Sequence, residues 1–123
     1  MYKFEPILKS TIWGGNRITA FKQMASAGQS IGESWELSAV PGELSGVSQG
    51  ADKGLTIVEL IDKYRDRLLG HDNYCRYGNQ FPLLVKFIDA EADLSVQVHP
   101  DDTLAMQRHG TSGKTEMWYV IDA

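Results

Sequence analysis

Eight of the twelve glycines in this 123-residue chain fall within its first 54 positions. They cut that region into apolar pieces too short for helices, so TIWGG, SIGESWELSAV and ELSGVSQG favour short strands joined by tight loops. Along SWELSAV, residues two apart share a side. That period puts Trp35, Leu37 and Ala39 on one face and Glu36 and Ser38 on the other, which predicts a half-buried sheet with its large apolar side chains inward.

The period changes at LTIVELIDKYRDRLLG. Ile57, Leu60, Ile61, Tyr64 and Leu68 recur at helical spacing, Thr56 and Glu59 form a capping-box pattern, and Gly70 is a natural stop. The expected helical element spans about 56–69, with Asp62, Lys63, Arg65, Asp66 and Arg67 on a solvated face. HDNYCRYGNQFP lacks a period and reads as a loop. PLLVKFIDA and DLSVQVHP read as two strands of an antiparallel hairpin, turning around Ala90 to Asp93. A short helix fits DDTLAMQRHG, with Asp102 as the cap and Gly110 as the terminator. TSGKTEMWYVIDA opens another strand, and the chain stops at Ala123 within it, as a truncated β-rich fold would.

Composition narrows the function classes. With 42% hydrophobic and 23% charged residues, one globular domain over residues 1–123 is the expectation. The net charge of -4, without any basic block, excludes a nucleic-acid phosphate surface. No apolar run approaches the roughly 20 residues of a membrane span, and the N-terminus lacks a signal-peptide pattern, which predicts a cytoplasmic protein. Cys75 is the single cysteine and has no internal disulfide partner.

The chemistry concentrates in LSVQVHPDD. On a strand Ser95, Gln97 and His99 project together, while Leu94, Val96 and Val98 project oppositely toward a core. An amide oxygen and an imidazole nitrogen at that spacing can reach one metal ion, with Glu116 of GKTEMWYV as a candidate third donor after an intervening helix and loop. The alternative is a hydrogen-bonded edge histidine beside a solvent-facing glutamine.

Read together, LLVKFIDAEADLSVQVHPDD, GKTEMWYV, the WGG at Trp13 to Gly15 and GESWELS at Gly32 to Ser38 resemble the type I mannose-6-phosphate isomerases, particularly their shorter bacterial branch. The motifs keep the family's order and span nearly the whole chain. The resemblance implies a mainly β fold with added helices, a cupin-like jelly roll of which this chain is the N-terminal part. It implies that Gln97, His99 and Glu116 are three of four zinc ligands, the fourth being a histidine that residues 1–123 do not contain. His71 and His109 do not match it, so the missing part of the fold or another copy of the chain would have to supply it.

The implied reaction interconverts mannose 6-phosphate and fructose 6-phosphate through a cis-enediol. Neutral Gln and His ligands with one Glu leave a divalent ion electrophilic enough for that chemistry. Lys86 and Lys114 match active-site lysines; Trp13, Glu33 and Ser95 match substrate-binding positions. Residue chemistry leaves alternatives open at several of these. Burial would suit Lys86 to proton transfer, whereas a phosphate or carboxylate partner would oppose that; Trp13 fits sheet packing as well, and Glu33 fits a surface turn. A cupin-type module that binds sugar phosphate without turnover is the second functional reading.

Overall fold

A computed structural model describes residues 1–25 and 28–123. Its elements are β1 (Ile7–Gly15), α1 (Arg17–Phe21), β2 (Ile31–Leu37), β3 (Ala39–Val40), β4 (Glu43–Leu44), α2 (Ile57–Tyr64), α3 (Asp66–Leu69), α4 (His71–Tyr77), β5 (Val85–Ile88) and α5 (Asp102–His109). Helices take more of the chain than strands, so the fold is a mixture of helix and antiparallel sheet rather than mainly β. The chain divides into two compact units, Met1–Asp93 and Leu94–Ala123.

The first unit is built on an antiparallel sheet of order β1-β2-β5. Two glycines let β1 and β2 close on each other. A Cβ on Gly14 would lie 2.4 Å from the Gly32 nitrogen, and one on Gly32 would lie 2.0 Å from Thr11 Oγ1 and 2.7 Å from the Trp13 ring. Only hydrogen fits at either position. A second, two-stranded sheet joins β3 to β4. Its turn sets Pro41 and then Gly42, at φ 84°, where a type II turn wants a fixed negative φ followed by a positive one.

The burial in β2 reverses the expectation for SWELSAV. Ser34 and Ser38 are fully buried, whereas Trp35 and Leu37 are half-exposed. Phe21, at the end of α1, packs edge-on against Phe87 at 5.5 Å, and the adjoining Lys22 Nζ reaches Glu36 Oε1 at 2.5 Å and Ser34 Oγ at 3.3 Å. Small serines suit a face that must admit a helix end, and Lys22 and Glu36 are paired there while half-buried. Ser38 and Ser45 settle each other's polarity through the Ser38 N–H donating to Ser45 Oγ at 2.8 Å.

The helical region starts as expected: Thr56 Oγ1 accepts from Glu59 N–H, and Glu59 Oε2 accepts from Thr56 N–H at 2.8 Å, a complete capping box. Leu60 and Ile61 are fully buried, and Ile57 nearly so. The helix does not run unbroken to 69. Arg65 adopts φ 51°, ψ -126°, which ends α2 and starts α3. Nor is His71–Tyr77 a loop; it forms α4, which ends at Gly78 with φ 57°, ψ -126°. None of its residues is fully buried, so no apolar stripe marked it. Its polar cues were Asp72 in the first turn, Arg76 in the last and the terminal glycine.

Asp52 ties this unit together. The Tyr2 and Tyr64 hydroxyls each donate to its Oδ2 at 2.8 Å, and Lys63 Nζ reaches its Oδ1 at 2.6 Å. Those donors, Lys63 foremost, hold the Asp52 carboxyl below its ordinary range, while the bond to Asp52 pushes the Tyr2 hydroxyl well above its own.

The expected hairpin of PLLVKFIDA and DLSVQVHP does not form. After β5 the chain runs beside β1, where the N–H groups of Glu91 and Ala92 donate to the Trp13 carbonyl at 2.9 and 3.3 Å and Gly14 bridges to Ala90. In the second unit Leu94–Pro100 and Gly113–Val120 lie in no ladder, so neither strand expected there is formed. Val96 and Val98 are 97% and 93% exposed, which corrects the expectation that they feed a core. Helix α5 is capped by Asp101, whose Oδ1 accepts from Leu104 N–H at 2.8 Å; the expected cap, Asp102, instead accepts from Gly113 N–H at 2.8 Å. Gly110 ends it in the left-handed region, as expected. Among the described residues, no helix is long and apolar enough to cross a membrane.

Candidate functional site

The site residues expected from sequence fall in both units. Directly opposed residues of an antiparallel pair share a face. The register pairs Lys9 with Glu33 between β1 and β2, and Trp35 with Lys86 between β2 and β5, so these four stand on one face of the sheet. Lys86 Nζ lies 2.7 Å from Glu33 Oε1, and the Trp35 indole N–H donates to Glu33 Oε2 at 2.6 Å. Lys9 Nζ sits 4.9 Å from the Trp35 ring centroid and pairs with Glu43.

The Glu33 and Lys86 side chains are only 16% and 22% exposed. Two charges so far withdrawn from water are stabilised by pairing with each other. Glu33 is therefore no free turn residue, and Lys86 has a carboxylate partner. Trp13 is half-buried, with its ring against Gly32 and its carbonyl holding the Glu91 and Ala92 amides.

Trp35 is the residue that sequence reasoning missed. The period-two rule that placed it opposite Glu36 also places it beside Glu33, two residues earlier, and that was the signal. Reading tryptophan as core material hid its indole donor.

In the second unit, His99 Nε2 lies 3.5 Å from Glu116 Oε2, and Lys114 Nζ lies 2.7 Å from Glu116 Oε1. Lys114, with smaller contributions from His99 and Trp118, holds the Glu116 carboxyl below its ordinary range. Glu116 is thus a carboxylate at neutral pH, the form that can bind a cation. Gln97 is exposed, and its side-chain nitrogen donates to Ser95 Oγ at 3.2 Å, consistent with the shared side expected of residues two apart.

The structure thus brings His99, Glu116 and Lys114 together, and Ser95 with Gln97. Among the described residues, no three His, Cys, Asp or Glu side chains gather in one group. His109 is exposed in the last turn of α5, and His71 is exposed on α4 with Nε2 3.6 Å from Cys75 Sγ.

A His–Glu contact of 3.5 Å is long for a hydrogen bond. It is close to the separation of two donors sharing one tetrahedral zinc: bonds of roughly 2.0–2.2 Å put such atoms about 3.4 Å apart. The chemistry of the pair also fits, since a neutral imidazole and a carboxylate are ordinary zinc donors.

Residues 1–118 match the family model for the phosphomannose isomerase type I catalytic domain. The chain is 42% identical over 120 residues to the mannose-6-phosphate isomerase ManA of Bacillus subtilis, covering 97% of this chain and 36% of the relative. It is 43% identical over 112 residues to a mannose-6-phosphate isomerase of Streptococcus mutans, covering 91% and 34%. The crystal structure of a mannose 6-phosphate isomerase from Bacillus subtilis superposes with a TM-score of 0.84 at 38% identity, over 98% of this chain and 37% of that one. The chain therefore spans little more than a third of the length of these relatives.

Proposed function

Because the chain belongs to the type I phosphomannose isomerase family, we propose that it carries the front part of an isomerase site converting mannose 6-phosphate and fructose 6-phosphate into each other through a cis-enediol. The complete site would belong to a cupin-like jelly roll, of which residues 1–123 form the N-terminal part. The rest, including a fourth ligand histidine, would come from the remainder of the family fold or from another copy of the chain. The observation that carries this reading is the His99–Glu116 pair with its 3.5 Å spacing.

His99, Glu116 and Gln97 would hold one zinc ion. When bound, zinc supplies Lewis acidity that polarises a carbonyl and stabilises developing negative charge. The chain's own residues supply the setting. Lys114 pairs with the Glu116 carboxylate at 2.7 Å; Glu33 holds the Lys86 ammonium on the sheet face, where it serves as a fixed cation for a sugar phosphate. Ser95 offers a hydroxyl and Trp13 an aromatic surface to the sugar.

Two measurements test the reading. Calorimetry on the chain should show zinc binding that H99A and E116Q each weaken by about tenfold or more; binding that neither variant weakens would remove the metal assignment. Residues 1–118 exchanged into ManA should give an isomerase that loses turnover on chelation and regains it with zinc. A chimera that binds mannose 6-phosphate without turnover would instead favour a non-catalytic sugar-phosphate module.

A further inference from the structure

We propose that Trp35 is a positioning residue that fixes Lys86 by way of Glu33; the inference rests on the reading of Lys86 as the site's cation. A carboxylate turns readily about its last torsion, so one ion pair alone leaves it a range of orientations. Glu33 is held at both oxygens by different groups: Oε1 by Lys86 Nζ at 2.7 Å and Oε2 by the Trp35 indole at 2.6 Å. Two donors on two oxygens fix the carboxylate plane, and the plane fixes where the ammonium rests.

The indole is itself fixed. Trp35 stands directly opposite Lys86 in the β2–β5 register, and Lys9, anchored by Glu43, lies over its ring. Placement therefore passes from Lys9 to the ring, from the indole N–H to Glu33, and from Glu33 to Lys86. Loss of the indole donor, with the ring kept, removes one of the two bonds that set the carboxylate plane and loosens Lys86 without opening a cavity.

The test uses W35F, E33Q and the unmodified chain, and needs no turnover. Competitive acetylation with acetic anhydride, read by mass spectrometry, compares Lys86 with the exposed Lys53. In W35F the relative labelling of Lys86 should rise roughly threefold, the low end of coupling within one hydrogen-bond network, and E33Q should raise it further. In 15N NMR, E33Q should move the Trp35 indole resonance while those of Trp13 and Trp118 hold. Unchanged Lys86 labelling in a W35F chain with native circular dichroism overturns the proposal, as does an indole resonance indifferent to E33Q. If W35F does not fold, the indole readout decides alone. Inactivity of the ManA chimera beside altered labelling would count against the isomerase reading and leave the positioning intact.

Discussion

The two units differ in what holds their functional side chains. Glu33 and Lys86 stand on a three-stranded sheet whose unit carries a core of Ile18, Ile31, Val47, Ile57, Leu60 and Ile61. His99 and Glu116 stand on segments without ladder partners, in a unit whose only fully apolar buried residue among those described is Ala105. Glu33 and Lys86 are braced by their own unit, while His99 and Glu116 rest on side-chain pairs and the caps of one helix. An ion bound at His99 and Glu116 would therefore contribute order there, because binding free energy that selects one arrangement is also folding free energy.

The sharpest way to break the comparison is to delete apolar volume in each unit. Leu60→Ala should cost about 2–5 kcal/mol by urea denaturation, because the side chain is fully buried. Val98→Ala should stay within about 0.5 kcal/mol. Equal losses would mean that Val98 is packed in solution and the contrast is wrong. Gly32→Ala comes next: its new methyl would meet Thr11 Oγ1 and the Trp13 ring, so a loss of about 1–3 kcal/mol is expected, with a shifted Trp13 fluorescence spectrum. An unaltered melting midpoint would show that the strands can part there without cost.

Arg65 supplies a smaller effect of opposite sign. It shares nearly the same backbone angles as Gly78, 51°/-126° against 57°/-126°, yet bears a side chain in a region that favours glycine. Arg65→Gly should therefore stabilise the first unit by about 1 kcal/mol, seen as a higher denaturation midpoint. The last test is acid. The folded chain depresses the Asp52 carboxyl, so below about pH 4 the unfolded chain binds more protons than the folded one, and stability falls as pH drops through the folded value. Asp52→Asn should flatten that decline. A variant whose urea midpoint still falls as steeply would place the acid sensitivity elsewhere.

Sequence legibility divided along another line, between local and distant determinants. The capping box at Thr56, the burial of Leu60 and Ile61 and the stop at Gly110 were readable because each depends on neighbours a few residues away. The inversion of β2 was not, since it depends on the end of α1 bringing Phe21 onto Phe87 and Lys22 onto Ser34, contacts that no local pattern encodes. The hairpin failed for a related reason: Trp13 competes for the backbone after β5 through a bond between residues far apart in sequence. At the site, the family motifs led to His99, Glu116 and Lys114, and the structure sets them side by side. The local alternation of LSVQVHP suggested a strand, but a strand also needs a partner for its backbone, and none is present in this unit.

Val96 and Val98 alternate with Gln97 and His99, and Met117 follows Glu116 directly, at 92% exposure. Exposed apolar side chains and the proposed zinc donors are thus interleaved along the same few residues. Charged substitutions that would blunt strand-to-strand association in concentrated solution would fall next to the donor atoms and alter their electrostatics. On the zinc reading proposed above, a substitution made along these residues for solubility would also change ion affinity.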